Sequence, residues 1–175
     1  MLSDARPLLA AAPVIPVLTI KDASAAVPLA RALVAGGLPV IEVTLRTPQA
    51  LGAIREIARE VPEAVVGAGT ITRVEDIQVA TAAGARFLVS PGTPAALAVG
   101  LSSCPVPVLP GCATVTEAMA LAAYGFTALK FFPAEPSGGA AFLKSLSGPL
   151  PGLVFCPTGG IDAAKAPSYL ALANV

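Results

Sequence analysis

Short apolar runs rich in β-branched residues recur along this chain at intervals of roughly twenty to twenty-five residues, with helical patterns between them. They occupy residues 14–20, 40–45, 65–70, 87–92, 107–112, 128–133 and 154–160. Strand, helix, strand, repeated in this way, builds a parallel sheet through right-handed crossovers. A (β/α)8 barrel and a doubly wound open sheet both satisfy that pattern. The even spacing of seven units favours the barrel. After the seventh run a helical segment follows, "DAAKAPSYLALA", and Asn174-Val175 falls where an eighth strand would begin. The expectation is one α/β domain over residues 1–175, a TIM barrel that is C-terminally incomplete because its eighth strand lies beyond Val175. The N-terminal segment or a neighbouring chain could instead cover the gap.

Helix boundaries are marked by local chemistry. Thr47-Pro48 offers a capping hydroxyl before a first-turn proline, and Ile54, Ile57, Ala58 and Val61 then form an apolar stripe. Thr72 with Glu75, and Thr114 with Glu117, have capping-box spacing. Asp22 or Ser24 can cap the helix that ends at Gly36-Gly37, and Gly84 and Gly125 close two more.

Composition narrows the function. Apolar residues make up 55% of the 175 and charged residues 13%, so strands are buried on both faces and surplus apolar surface suits a subunit interface. The 11 basic and 11 acidic residues are evenly spread. No basic stripe points to nucleic acid, and no polybasic run points to a membrane surface. Residues 87–116 are uncharged, but Pro91, Pro94, Pro105, Pro107 and Pro110 prevent a spanning helix there. Asp4, Pro7, Pro13 and Pro16 spoil a signal peptide, so a cytoplasmic protein is expected. Cys104, Cys112 and Cys156 are odd in number without CxxC spacing and read as core residues. The chain has no histidine. Histidine triads and most zinc sites are therefore excluded, and acid–base chemistry falls to carboxylates, lysine, tyrosine, cysteine or water.

Lys130 stands out, because it sits inside the buried-looking run "ALKFFP". Lysine is almost never fully buried unless paired. Strand side chains alternate, so Lys130 shares a face with Phe132, and Glu42 shares one with Thr44 and Arg46. Thr70 aligns with Ala68 and Val66, and Thr158 with Cys156. With the aliphatic faces against the helices, the ring interior collects Lys130, Glu42, Arg46, Thr70 and Thr158. Each alone has a bland reading, such as a structural ion pair, a strand-end charge or a helix-entry threonine. Three charges together do not, because buried ion pairs stabilise a fold poorly at best.

The residue types define a chemistry. Burial disfavours the charged form of an amine, and a neutral amine attacks ketones to give a Schiff base. The protonated imine is an electron sink, and Glu42 can move the proton. Arg46, with Thr70, can hold a carboxylate. A 2-keto acid offers both the ketone and the carboxylate. "PTGGID" (157–162) adds glycines before an Asp162-capped helix start, where N–H groups can meet an anion such as phosphate. "EPSGGAA" (135–141) reads as a loop and helix start over the barrel mouth.

Six segments, "VIEVTLRTPQAL", "VGAGTI", "FLVSPG", "PGCATVTEA", "ALKFFPAE" and "CPTGGI", in this order and spacing, resemble the class I 2-keto-3-deoxy-6-phosphogluconate (KDPG) aldolases. Many of these also act as 4-hydroxy-2-oxoglutarate (KHG) aldolases. The resemblance runs from about residue 10 to the end of the chain. It implies a homotrimeric (β/α)8 barrel and a lyase that works without metal or cofactor on small 2-keto acid and aldehyde substrates. It implies Lys130 as the Schiff-base lysine and Glu42 as the proton shuttle, with Arg46 and Thr70 on the pyruvate carboxylate. Thr158 and Phe132 would line the pocket, and Gly159 and Gly160 would donate N–H groups to the phosphate. The reaction implied is reversible cleavage of KDPG to pyruvate and glyceraldehyde 3-phosphate, a step of the Entner–Doudoroff pathway, and of KHG to pyruvate and glyoxylate. Members continue past Ala-Asn-Val into an eighth strand whose serine completes the phosphate site, so weaker phosphate affinity is expected of a chain ending at Val175. Two other readings stay open: an aldolase specific for an unphosphorylated or epimeric 2-keto acid, and a non-catalytic oligomeric scaffold.

Overall fold

The computed structural model of the chain describes residues 3–175 and turns the seven apolar runs into seven parallel strands. They are β1 (Val17–Leu18), β2 (Val40–Thr44), β3 (Val65–Gly69), β4 (Leu88–Val89), β5, β6 (Ala128–Phe131) and β7 (Val154–Pro157). We number as β5 the two segments Val108–Leu109 and Gly111–Cys112 on either side of Pro110. Proline lacks the N–H that a ladder needs, yet the Pro110 carbonyl still accepts from the Lys130 N–H at 3.0 Å. The first half of β5 pairs with β4 and the second with β6, so strand order follows chain order throughout.

Helices fill the crossovers: α2 (Ala26–Ala35), α3 (Ala50–Glu60), α4 (Val74–Ala82), α5 (Ala95–Ser102), α6 (Val115–Ala123), α7 (Gly139–Leu146) and α8 (Ala166–Leu170), preceded by a short α1 (Arg6–Ala10). Among the described residues, no helix is long and apolar enough to cross a membrane.

Period-two alternation divides the core in two. Ile41, Val43, Val66, Ala68, Leu129 and Phe131 face outward into the large cluster that Ile54, Ile57, Leu97 and Leu121 bring from the helices. Val40, Phe87, Val89, Leu109 and Ala128 take the opposite face and form a smaller cluster inside the ring, joined by Ala5, Leu8 and Leu9 at α1. The sequence pattern gives no sign of α1, a five-residue helix with proline in its first turn.

The caps refine the sequence reading. Thr114 and Glu117 form the expected capping box of α6, worth about 1 kcal/mol. At α4 the box is one residue later than expected: the Asp76 carboxylate accepts from the Thr72 and Arg73 N–H groups at 3.1 and 3.0 Å. Thr47 does not cap α3, because its hydroxyl donates to the Ile20 carbonyl at 2.6 Å and the helix starts at Ala50.

Among the described residues no strand bridges β7 and β1. Their edges flank a cleft of about 760 Å³ lined by Pro13, Ile15 and Val17 on one side and Val154, Cys156 and Tyr169 on the other. This is where the eighth strand of a (β/α)8 barrel belongs. The Asn174 carbonyl already accepts from the Phe155 N–H of β7 at 2.8 Å, and its amide donates to the Leu143 carbonyl at 2.8 Å.

Candidate active site

Glu42 and Lys130 sit mid-strand on β2 and β6, which are not neighbours in the sheet. Their contact therefore crosses the ring interior. Lys130 Nζ lies 3.3 Å from Glu42 Oε1 and 3.4 Å from Oε2, with the two side chains 6% and 5% exposed. The carboxylate has room because residue 69 of the adjacent β3 is glycine: a Cβ there would lie 1.9 Å from Glu42 Oε1. Desolvating such a pair costs several kcal/mol per ion, so it is a poor structural device and a good chemical one.

The neighbours of Lys130 are small, apolar or aromatic. Gly111 on one side and Cys156 on the other are its register partners. Burial pushes the Cys156 thiol up to about 11; Lys130 pulls it down and Glu42 adds to the rise. It is a thiol at neutral pH and does not compete as a nucleophile. The Phe132 ring lies with its centroid 5.6 Å from Lys130 Nζ, in cation–π range.

Arg46 stands in the turn after β2, exposed, and its Nε donates to Thr70 Oγ1 at 3.0 Å. Thr44, between Glu42 and Arg46 on the same face, is committed elsewhere: its hydroxyl bonds Thr19 Oγ1 and the Leu18 carbonyl, both at 3.0 Å, and ties β2 to β1. Thr70 reaches Arg46, but not by the expected alternation. Val66 and Ala68, with which it was aligned, pack outward against the helices. Thr70 instead has φ +62°, and this left-handed step turns its side chain back over the strand ends. A non-glycine residue held there costs about 1–3 kcal/mol, and such strain clusters at functional sites.

The third part is the loop after β7. Thr158 and Gly159 line the cleft together with Lys130 and Glu42. Gly159 and Gly160 have φ +108° and +78°, conformations that side chains resist. Among the described residues, the N–H groups of Gly159 and Gly160 have no acceptor. The helix expected directly behind them is displaced: Asp162 accepts from the Ala164 and Lys165 N–H groups, and α8 begins only at Ala166. The N–H groups without an acceptor thus belong to the loop itself rather than to a helix start. Gly159 packs against Phe132 and Pro133, which brings the loop to the end of β6.

Sequence reasoning missed two groups here. Gly69 was a readable signal, since glycine inside a strand marks a close approach. Glu135, Lys165 and Tyr169, which join beside the loop, carry no such mark. Among the described residues, no group of three or more His, Cys, Asp or Glu is placed to hold a metal.

Comparison with known proteins follows the same lines. The family model described as KDPG and KHG aldolase matches residues 6–175. The chain is 48% identical over 163 residues to the 2-dehydro-3-deoxy-phosphogluconate aldolase of Pseudoalteromonas atlantica, covering 93% of this chain and 76% of that one. It is 47% identical over 173 residues to the KHG/KDPG aldolase of Escherichia coli K12, covering 99% and 81%. The crystal structure of KDPG aldolase from Legionella pneumophila, with pyruvate captured at low pH as a covalent carbinolamine intermediate, superposes with a TM-score of 0.96 at 43% identity, over 99% of this chain and 84% of that one. A parallel ring of strands around a buried lysine–carboxylate pair, together with these matches, places the chain in the KDPG and KHG aldolase family.

Proposed function

We propose that Lys130 is the Schiff-base amine and Glu42 the proton carrier of a class I aldolase that cleaves KDPG to pyruvate and glyceraldehyde 3-phosphate, and KHG to pyruvate and glyoxylate. The observation that carries this reading is the buried contact between them across the ring, 3.3 Å long. Lys130 Nζ in its neutral form adds to the C2 carbonyl to give a carbinolamine. Glu42, holding a proton, gives it to the departing hydroxyl, and water leaves with formation of the iminium. The carboxylate of Glu42 then takes the C4 hydroxyl proton. The C3–C4 electron pair flows into the iminium, leaving an enamine and a free aldehyde. Protonation at C3 and hydrolysis release pyruvate and restore the amine. Only the carboxylate and water need move protons, which suits a chain without histidine.

Arg46, with Thr70 as its partner at 3.0 Å, is suited to a bidentate grip on the pyruvate carboxylate. Thr158 lines the cleft with the lysine, and the Phe132 ring lies 5.6 Å from its Nζ. The N–H groups of Gly159 and Gly160 are the phosphate donors in this reading. Two relatives carrying the KDPG and KHG/KDPG aldolase names support both substrates. Steady-state assays of pyruvate release from each substrate test the proposal. Lys130→Ala should abolish both activities and Glu42→Gln should lower kcat by about 10²–10⁴-fold, with chelator having no effect. Full activity in Lys130→Ala would end it.

We also infer a homotrimer working in the cytoplasm. Val74 and Val79 on α4, Val99 on α5, and Val115 and Met119 on α6 are exposed apolar residues on three consecutive helices, the kind of surface that subunits cover. Light scattering should give three times the 17.3 kDa chain mass, and Val99→Glu with Met119→Glu should lower it.

A further inference from the structure

Glu135 occupies the end of the "FFPAE" segment, just beyond β6, and lies between three pieces of chain. Its Oε1 accepts a hydrogen bond from the Tyr169 hydroxyl of α8. Its Oε2 lies 3.1 Å from Lys165 Nζ, and the same ammonium donates to the Gly160 carbonyl at 2.8 Å. Its own N–H donates to the Gly159 carbonyl at 3.1 Å, and the preceding Ala134 N–H to the Thr158 carbonyl at 2.8 Å. The Thr158 and Gly159 carbonyls are thus held by the Ala134–Glu135 backbone and the Gly160 carbonyl by Lys165, while among the described residues the Gly159 and Gly160 N–H groups have no acceptor.

Packing reinforces the arrangement. A Cβ on Gly160 would lie 2.9 Å from Glu135 Cβ and Cγ, and one on Gly139 would lie 3.2 Å from Glu135 Oε1 and 3.3 Å from the Tyr169 hydroxyl. Both glycines have positive φ, +78° and +62°. Tyr169 is buried, and burial first, then Glu135, pushes its phenol up to about 12, so it stays a donor to the carboxylate. The Glu135 carboxylate is turned towards Tyr169 and Lys165, whose ammonium also lies 3.9 Å from Asp162 Oδ2, so the charge beside the loop is partly offset.

We propose that Glu135 is a positioning residue for the aldehyde half of the substrate: through Tyr169 and Lys165 it sets the Thr158-Gly159-Gly160 loop in the shape that presents N–H groups to the phosphate. The inference rests on that loop being the phosphate binder. It predicts a split between substrates. Loss of Glu135 loosens the grip on a phosphorylated aldehyde fragment and leaves Lys130 chemistry with pyruvate intact.

The test compares wild type, Glu135→Gln, Lys165→Gln and Tyr169→Phe with KDPG, with KHG, and in borohydride trapping of pyruvate. Glu135→Gln should raise KM for KDPG by about tenfold or more, with KM for KHG and the trapping yield unchanged. Tyr169→Phe and Lys165→Gln, which each remove one link and leave the carboxylate, should shift KM for KDPG in the same direction by less. An equal rise of both KM values in all three variants, or no rise in any, would overturn the proposal. The underlying reading fails separately: wild type would then show no competitive inhibition by inorganic phosphate.

Discussion

Two glycines on β3, two residues apart and facing the same interior, hold open very different spaces. A Cβ on Gly67 would lie 2.4 Å from the Phe87 ring, and one on Gly69 would lie 1.9 Å from a Glu42 carboxylate oxygen. At about 3.3 Å of rise per residue, floor and candidate site are one short step apart on one strand. Below, the missing side chain admits a fully buried aromatic ring and the return is hydrophobic burial. Above, it admits a charge that pairs with Lys130, and in the proposed function the return is chemistry. The same local device therefore serves stability or function according to what fills the gap, and the two can be separated by mutation.

The largest effect is expected at the upper gap. Gly69→Ala must displace the Glu42 carboxylate, so kcat should fall by about 10²–10⁴-fold, like the loss of a general base, while the folded far-UV signature persists. Wild-type kcat in Gly69→Ala would mean that Glu42 does not need the position it occupies. Next is the lower gap. Phe87→Ala should cost about 3–5 kcal/mol in urea unfolding, and the fraction still folded should retain its kcat. An inactive but stable Phe87→Ala protein would erase the distinction between floor and site.

Thr70 sharpens the comparison, because there strain and function share one residue. Thr70→Gly relieves the φ of +62° and so should raise stability by about 1 kcal/mol. It also removes the hydroxyl that receives Arg46, so KM for KDPG should rise while Lys130 still reacts with pyruvate. A loss of stability instead would show that the threonine is held for packing.

The smallest effect lies away from both gaps, at the α6 cap. The Ala113 N–H, aided by Thr114, holds the Glu117 carboxyl below its ordinary value near 4.5 despite a raising effect of burial. A carboxyl with a depressed folded value binds fewer protons in the native state. Its contribution is therefore present above that ordinary value and is lost as pH falls through the lower one. Glu117→Gln should be less stable than wild type at pH 7, and the gap between their urea midpoints should close on acidification. A gap independent of pH would contradict the assignment.

The sequence made the strands and the lysine–carboxylate pair legible for one reason: a charge in an apolar run with period two has nowhere to go but inward. Lys130, Glu42 and the seven-fold repetition needed no more than that. Thr70 shows the limit of alternation, since a single left-handed step reverses which face a residue serves. Thr47 and the α4 box show another, because several polar groups compete for each helix start and only the fold decides which is nearer. The cluster of Glu135, Lys165 and Tyr169 was not legible at all. Its members are ordinary surface types, and Tyr169 and Glu135 meet across 34 positions of sequence.

The central claim is that the amine of Lys130 forms an imine with a 2-keto acid. Borohydride reduction in the presence of pyruvate, followed by peptide mass spectrometry, tests it most directly. The account predicts a reduced pyruvyl adduct on Lys130 and on no other lysine. Folded protein without an adduct, or with one on Lys21, Lys144 or Lys165, would contradict it.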